Sequence, residues 1–159
     1  MASLIIRFVT QGGFVSEAIR VVTFSEFSHA EIGTPSGTWI GAHDIGGVQE
    51  RPADYYVATF ERRYAVPMTD EQYAAAMAYA RSKIGTKYDF EDILGLLIHK
   101  DITSKGSEIC SMFVFQTLLA AGIQSLNVLG EYSNLVTPDT LHLSPIFIGC
   151  CYFQTSPPS

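Results

Sequence analysis

The sequence predicts an α+β fold in which a small antiparallel sheet, or half-barrel, is packed by helices. Strand-like runs of β-branched and aromatic residues gather in the first 62 residues, whereas helix-like segments gather between residues 69 and 121. A last apolar run near residue 150 completes the pattern. Strands grouped together and helices grouped together are typical of α+β proteins rather than of alternating α/β proteins.

The strand-like runs cover residues 3–10, 27–33, 38–43, 48–51 and 55–62. The second and third of these runs flank Thr34-Pro35-Ser36-Gly37, a strong turn sequence, and so predict a β-hairpin. Gly12-Gly13 ends the first strand, and residues 14–22 predict a short helix.

Helix signals dominate the middle of the chain. Thr69, followed three residues later by Gln72, forms a capping box that predicts a helix over residues 70–84, with Gly85 as its stop. The later elements are a helix over 90–98 capped by Asp89, a polar loop over 101–106, a helix over 109–121, a turn beginning at Pro138, and a last strand over 146–153.

Length and composition fit one compact domain. The chain has 159 residues, 47% of them hydrophobic and 16% charged, which excludes a disordered protein. We assign residues 1–155 to a single domain and residues 156–159 to a frayed tail. A net charge of −6 and the lack of any basic run argue against nucleic acid or an anionic membrane as the main partner.

The chain contains no recognisable signal peptide and no membrane-spanning segment. Its apolar beginning is short and is interrupted by Arg7, and the longest later apolar stretch, residues 93–98, is too short to cross a bilayer. We therefore expect a protein that is cytoplasmic as made and that is delivered to the cell envelope, if it acts there, by another route.

Cys110 is the candidate nucleophile. Its predicted place in the first turn of an apolar helix brings it near unpaired backbone N–H groups and partial positive charge, which favour the reactive thiolate. The alternative is an inert buried cysteine, the commoner role for such a residue. Cys150 and Cys151 are rival nucleophiles on a strand without this helix field. Three cysteines without a CxxC or HExxH pattern predict neither a disulfide framework nor a metal or cofactor site.

A cysteine nucleophile needs a base, and His29 is the best placed of the four histidines. His29 and Glu31 are two residues apart in a strand, so they share a face and Glu31 can orient the imidazole. His43 ends the following run and approaches His29 if the hairpin pairs as predicted. His99 and His142 have weaker cases, at a helix end and without a strong sequence partner. A cysteine helix facing a histidine strand is the papain-type arrangement, although each residue alone also fits an ordinary structural role.

Five short motifs follow one another along the chain: Ser28-His29-Ala30-Glu31-Ile32, the Trp39 run with Gly41-Ala42 and Gly47-Val48, Gly85-Thr86-Lys87-Tyr88-Asp89-Phe90, Cys110-Ser111-Met112-Phe113-Val114, and Thr137-Pro138-Asp139-Thr140-Leu141. Their order resembles the circularly permuted branch of the papain-like cysteine peptidases of the NlpC superfamily. This branch includes the YiiX and YaeF group and is distantly similar to lecithin:retinol acyltransferases. In the unpermuted family the cysteine helix precedes the histidine strand, whereas here the histidine strand comes first.

The resemblance implies a permuted papain-like fold with the cysteine helix against the sheet. It also implies roles: Cys110 as nucleophile, His29 as general base, Glu31 as the acidic residue that follows this histidine, and Tyr88 as a group that binds the substrate or the oxyanion. The third polar member of the site stays open between Glu31 and His43, with Glu31 favoured, since Gly41 at the corresponding position of unpermuted relatives cannot serve.

The expected function is that of a thiol hydrolase that cleaves an amide bond, with cell-wall (peptidoglycan) peptide as substrate and no cofactor. The oxyanion would be held by the backbone N–H of Cys110, with Tyr88 assisting. A thioesterase, a deamidase or an acyltransferase on the same fold is the alternative enzyme. The acyltransferase-like relatives carry an Asn-Cys-Glu-His type motif, whereas this chain has Ile109-Cys110-Ser111-Met112, which argues against acyl transfer to lipids. A non-catalytic binding or phage-structural domain is the remaining alternative.

Overall fold

The structure is a computed structural model that describes residues 1–10, 26–43, 46–55, 57–87, 105–125, 136, 138–147 and 151–155. Its strands are β1 (Ala2–Thr10), β2 (His29–Gly33), β3 (Trp39–His43), β4 (Gly47–Arg51), β5 (Phe60–Met68) and β6 (Cys151–Thr155). Its helices are α1 (Asp70–Ser82), α2 (Lys105–Ala120) and α3 (Pro138–His142), followed by a 3₁₀ turn over Pro145–Phe147.

The described strands form one antiparallel sheet in the order β4-β3-β2-β1-β5-β6. The predicted α+β class is therefore confirmed. Strand β1 lies near the middle of the sheet, and its register places Arg7 opposite Glu31 on β2 and opposite Arg63 on β5. Paired residues of an antiparallel ladder share a face, so these three side chains leave the sheet on the same side.

The other face of the sheet carries the hydrophobic core. Leu4, Ile6 and Phe8 alternate with Arg7 along β1 and are fully buried, and α2 contributes Phe113 and Leu118 to the same cluster. The face that carries Arg7 is buried too, because Arg7, His29 and Glu31 are each less than a tenth exposed. Polar groups in such a place need partners, since burying an unpaired charge is costly.

Two local predictions are confirmed in detail. Strands β2 and β3 pair as a hairpin, and the N–H of Gly37 donates to the carbonyl of Thr34 at 3.0 Å in the connecting turn. Helix α1 begins with the predicted capping box: Thr69 Oγ1 accepts from the N–H of Gln72 at 3.2 Å, and Gln72 Oε1 accepts from the N–H of Thr69 at 3.0 Å.

Two predicted strands are wrong in their limits. The predicted strand over 55–62 lies instead at Phe60–Met68, so it extends through Pro67. Proline usually ends a strand because it lacks an N–H, but β6 pairs only with residues 61–65, and Pro67 lies beyond that ladder. The last strand, predicted over 146–153, lies at Cys151–Thr155, and Ile146 belongs to the preceding 3₁₀ turn.

The helix that contains Cys110 also begins earlier than predicted. It starts at Lys105 rather than near residue 109, so part of the predicted polar loop over 101–106 is helical. Lysine and glutamate are good helix formers, which lets a polar turn precede the apolar part of the helix. Cys110 is therefore the sixth residue of α2, beyond its first turn, and the prediction of a cysteine at the helix N-terminus is wrong.

No helix among the described residues is long and apolar enough to span a membrane. Several predictions fall outside the described part of the chain: the helices over 14–22 and 90–98, Tyr88, His99, Cys150 and the tail over 156–159.

Candidate active site

The sheet brings three of the predicted site residues together on its polar face. His29 and Glu31 are two residues apart on β2, and His43 ends the neighbouring strand β3. The imidazole rings of His29 and His43 have centroids 4.8 Å apart. The hairpin is therefore the element that assembles this cluster, because antiparallel pairing places the start of one strand beside the end of the next.

Glu31 lies at the centre of the cluster and is fully buried. Its Oε2 atom accepts a hydrogen bond from Arg7 Nε at 2.6 Å, and Arg7 Nη2 lies at the same distance. Its Oε1 atom accepts a hydrogen bond from the Tyr55 hydroxyl at 2.5 Å and faces His29 Nε2 at 3.3 Å and His43 Nε2 at 3.7 Å. One oxygen thus binds the guanidinium, and the other is shared by the phenol and the two imidazoles.

Arg7 is fixed in turn by its own neighbours. Its guanidinium lies over the ring of Trp39, 4.1 Å from the centroid, and its Nη1 atom is 3.7 Å from Glu61 Oε2. The ring and the two carboxylates replace the water that a buried guanidinium loses. The position of Glu31 is therefore determined by Arg7, which belongs to the central strand of the sheet.

Cys110 reaches the cluster from helix α2, which packs on β2 and β3. The residue is fully buried and hydrogen-bonds His29. Burial by itself lowers the pKa of His29, but the charge of Cys110, the hydrogen bond to it, and the hydrogen bond and charge of Glu31 together raise that pKa to about 10. The raised pKa favours an imidazolium at His29, next to the Cys110 sulfur.

Glu31 is held in the ionised form. Burial raises its pKa, but the hydrogen bond and charge of His29, the charge of Arg7 and the Tyr55 hydroxyl lower it to about 2. A carboxylate that stays charged beside an imidazole can both orient the ring and stabilise its protonated form.

Gly41 on β3 provides the space for these side chains. A Cβ atom at this position would lie 2.8 Å from Glu31 Cγ and 3.2 Å from His29 Nε2, distances too short for ordinary contact. Gly41 cannot be the third polar member of the site, but it has a steric role. Because it lacks a side chain, Glu31 and His29 can lie against strand β3.

The structure therefore places Cys110, His29 and Glu31 in one connected group, with His43 beside Glu31. His142 lies elsewhere: its Nε2 atom is 2.5 Å from the Tyr64 hydroxyl, and its ring packs on Phe8 from the hydrophobic face of the sheet. Tyr88, the predicted binding residue, lies outside the described residues.

Sequence reasoning missed Arg7 and Tyr55, the two residues that hold Glu31. Arg7 does leave a signal, since it is the one charge within the apolar run Ser3-Leu4-Ile5-Ile6-Arg7-Phe8-Val9. A charge in the middle of a strand that is otherwise apolar indicates an internal partner. Tyr55 leaves none, because it belongs to a connecting segment.

The predicted oxyanion donor needs a correction. Because Cys110 lies in the second turn of α2, a regular α-helix pairs its N–H with the carbonyl of Gly106. That N–H is therefore not free to donate a hydrogen bond to the oxyanion, as the prediction required.

The cluster is also chemically suited to a cation. His29, Glu31 and His43 each offer one ligand atom, and these three atoms lie within 4.8 Å of one another. Imidazole nitrogen and carboxylate oxygen are common ligands of divalent transition metals.

Comparison with known proteins gives a fold relationship. No protein-family model and no curated protein matches the sequence. Among solved structures, the fold is similar to that of the metalloprotein YiiX from Escherichia coli O157:H7, with a TM-score of 0.63 and 15% sequence identity. The similarity covers 98% of this chain and 96% of that one. It agrees with the predicted resemblance to the YiiX group at the level of the fold.

The role of Gly41 can be tested by its replacement with alanine. We expect Gly41→Ala to lower the free energy of unfolding by about 1–3 kcal/mol, because Glu31 is held at both oxygens and cannot easily yield to the new methyl group. Urea unfolding of the variant and the wild-type protein measures the difference. Gly33→Ala, on the neighbouring strand, is a milder control, because a Cβ there would lie 3.1 Å from Trp39 and 3.2 Å from Ile5, farther than the 2.8 Å contact at Gly41. A Gly41→Ala protein as stable as wild type would contradict the described packing.

The ionised state of Glu31 predicts a pH-dependent stability. Because folding lowers its pKa from 4.5 to about 2, the ionised group contributes stability above pH 4.5, and this contribution is lost as the pH falls towards 2. We expect the metal-free wild-type protein to exceed Glu31→Gln in free energy of unfolding near neutral pH, and on the order of 3 kcal/mol of this difference to disappear in acid. Denaturant unfolding at a series of pH values measures it. A difference that stays constant through this range would show that Glu31 is not stabilised as a carboxylate.

Proposed function

We propose that this protein is a cysteine hydrolase that cleaves an amide bond, with Cys110 as nucleophile, His29 as general base and Glu31 as the residue that orients the base. The observation that carries the proposal is the unbroken series of contacts from Cys110 through His29 to Glu31. In acyl transfer the thiol of Cys110 needs a base, which His29 supplies, and the base needs a fixed orientation, which Glu31 supplies.

The mechanism follows from the atoms on either side of the imidazole. His29 Nε2 faces Glu31 Oε1 at 3.3 Å, so we assign Nδ1 to the side of the Cys110 sulfur. His29 already holds the proton given up by Cys110 in the resting site, and in the first step the thiolate attacks the carbonyl carbon of the substrate. The imidazolium then protonates the leaving amine, and a water molecule, deprotonated by His29, releases the acyl group from the sulfur.

Glu31 is proposed as the third member of the site in preference to His43. Its carboxylate is next to the base and stays ionised, which stabilises the protonated form of His29. His43 faces Glu31 Oε1 at 3.7 Å, so in this scheme it acts on the carboxylate rather than directly on the base.

The proposed architecture is the permuted papain-like one. The histidine strand β2 precedes the cysteine helix α2 in the chain, and the two elements pack against each other. The choice of peptidoglycan peptide as substrate class rests on the sequence resemblance to the permuted NlpC peptidases. Tyr88 stays the candidate for binding the substrate or the oxyanion.

Hydrolysis of purified peptidoglycan fragments tests the proposal. The wild-type protein, in buffer that contains a chelator, should release new amino groups, whereas Cys110→Ser and His29→Asn should lose on the order of 10³-fold or more of that rate. The double variant Cys150→Ser/Cys151→Ser is the matched control, and we expect it to keep the wild-type rate because the proposed mechanism gives those cysteines no role. Circular dichroism confirms that each variant is folded.

Two results would contradict this scheme. Cleavage that survives in Cys110→Ser would exclude Cys110 as the nucleophile. Cleavage of an acyl thioester but of no peptide amide, with the same dependence on Cys110, would favour the thioesterase alternative.

A further inference from the structure

We propose that His29, Glu31 and His43 form a binding site for one divalent transition-metal ion of the zinc class. Each of the three residues offers one ligand atom, and these atoms all lie within 4.8 Å of one another. The Nε2 atoms of His29 and His43 are 3.3 Å and 3.7 Å from Glu31 Oε1. Metal–ligand bonds of about 2.1 Å at a tetrahedral angle place ligand atoms about 3.4 Å apart. Both nitrogen–oxygen distances therefore fit ligands of a single ion.

The donor set indicates the class of metal. Two imidazoles and one carboxylate are a common set for Zn²⁺ and related divalent ions, whereas Ca²⁺ and Mg²⁺ prefer oxygen ligands alone. Three protein ligands leave at least one position of the ion for water or another small ligand. All three side chains are less than a tenth exposed, so the ion would be shielded from bulk water.

The surroundings of the three ligands also fit a metal site. The Tyr55 hydroxyl and the Arg7 guanidinium fix the Glu31 carboxylate, as the outer partners of metal ligands commonly do. Gly41 keeps side-chain atoms away, since a Cβ there would lie 3.1 Å from Glu31 Oε1 and 3.2 Å from His29 Nε2. The strand thus leaves room next to two of the three ligand atoms.

Metal binding and the proposed hydrolysis compete for one atom. An ion on His29 Nε2 uses the lone pair that holds a proton in the imidazolium, so its binding releases that proton to solvent. Nε2 of His29 then no longer carries the proton that faces Glu31 in the hydrolase scheme, and only Nδ1 remains to exchange a proton with Cys110. The metal site itself requires only the three ligands, and it stands whether or not the protein is a hydrolase.

Binding of Co²⁺ and Zn²⁺ to the metal-free protein tests the site. The chain is first freed of metal with a chelator, and calorimetric titration and the visible spectrum of Co²⁺ give the stoichiometry and affinity. We expect one equivalent to bind to the wild-type protein, and its affinity to fall by about tenfold or more in His43→Asn, His43→Gln and Glu31→Gln. His142→Asn is the matched control, because this histidine lies on the hydrophobic face of the sheet, and it should bind as tightly as wild type.

The outcomes separate this inference from the proposed function. Equal affinity in the wild-type protein and both His43 variants, or a Co²⁺ spectrum with a thiolate charge-transfer band that vanishes in Cys110→Ser, would overturn the site as proposed. Binding of less than one equivalent to folded wild-type protein would also overturn it. One tight equivalent that depends on His43, in a protein that cleaves no amide, would support the metal site and leave the hydrolase proposal without support.

Discussion

The ion pair between Arg7 and Glu31 is the interaction on which the polar face of this sheet depends. Both side chains are buried, and both lie on neighbouring central strands whose register places them directly opposite each other. Breaking such a pair leaves an uncompensated buried charge, a change that typically costs several kcal/mol. Because Arg7 takes one carboxylate oxygen, the other is turned towards Tyr55, His29 and His43. The two oxygens of Glu31 thus have different partners, and this arrangement sets the orientation of the whole cluster.

The remaining elements bring reactive groups to that carboxylate. The hairpin of β2 and β3 supplies two imidazoles, and Gly41 leaves the space in which they meet Glu31. Helix α2 brings Cys110 to His29 from its second turn, beyond the first turn in which the field of the helix end is strongest. Because Cys110 and His29 are both buried, solvent screens the electrostatic interaction between them only weakly.

Most of this cluster was predictable from local sequence patterns. His29 and Glu31 share a face because strands have a period of two, and the turn at Thr34–Gly37 sets the hairpin that brings His43 beside them. Arg7 was missed because pairing of β1 with β2 joins residues that are distant in the chain, and no local pattern specifies that register. The start of α2 was not predicted because its first turn is polar and resembles a loop. The predicted limits of β5 were too early in the chain because a proline such as Pro67 usually marks the end of a strand. These local sequence patterns do not indicate the substrate.

The central claim is that Cys110 and Glu31 together hold His29 in its protonated form, and the protonation state of His29 tests it most directly. Nitrogen NMR shifts of the histidine side chains can be recorded on the metal-free protein at neutral pH, with His29→Asn to assign the signal. The account predicts that both ring nitrogens of His29 are protonated in the wild-type protein, because its pKa is raised to about 10, and that Cys110→Ser lowers this pKa because the charge of Cys110 is removed. A neutral His29 ring in the folded wild-type protein, unchanged by Cys110→Ser, would contradict the account.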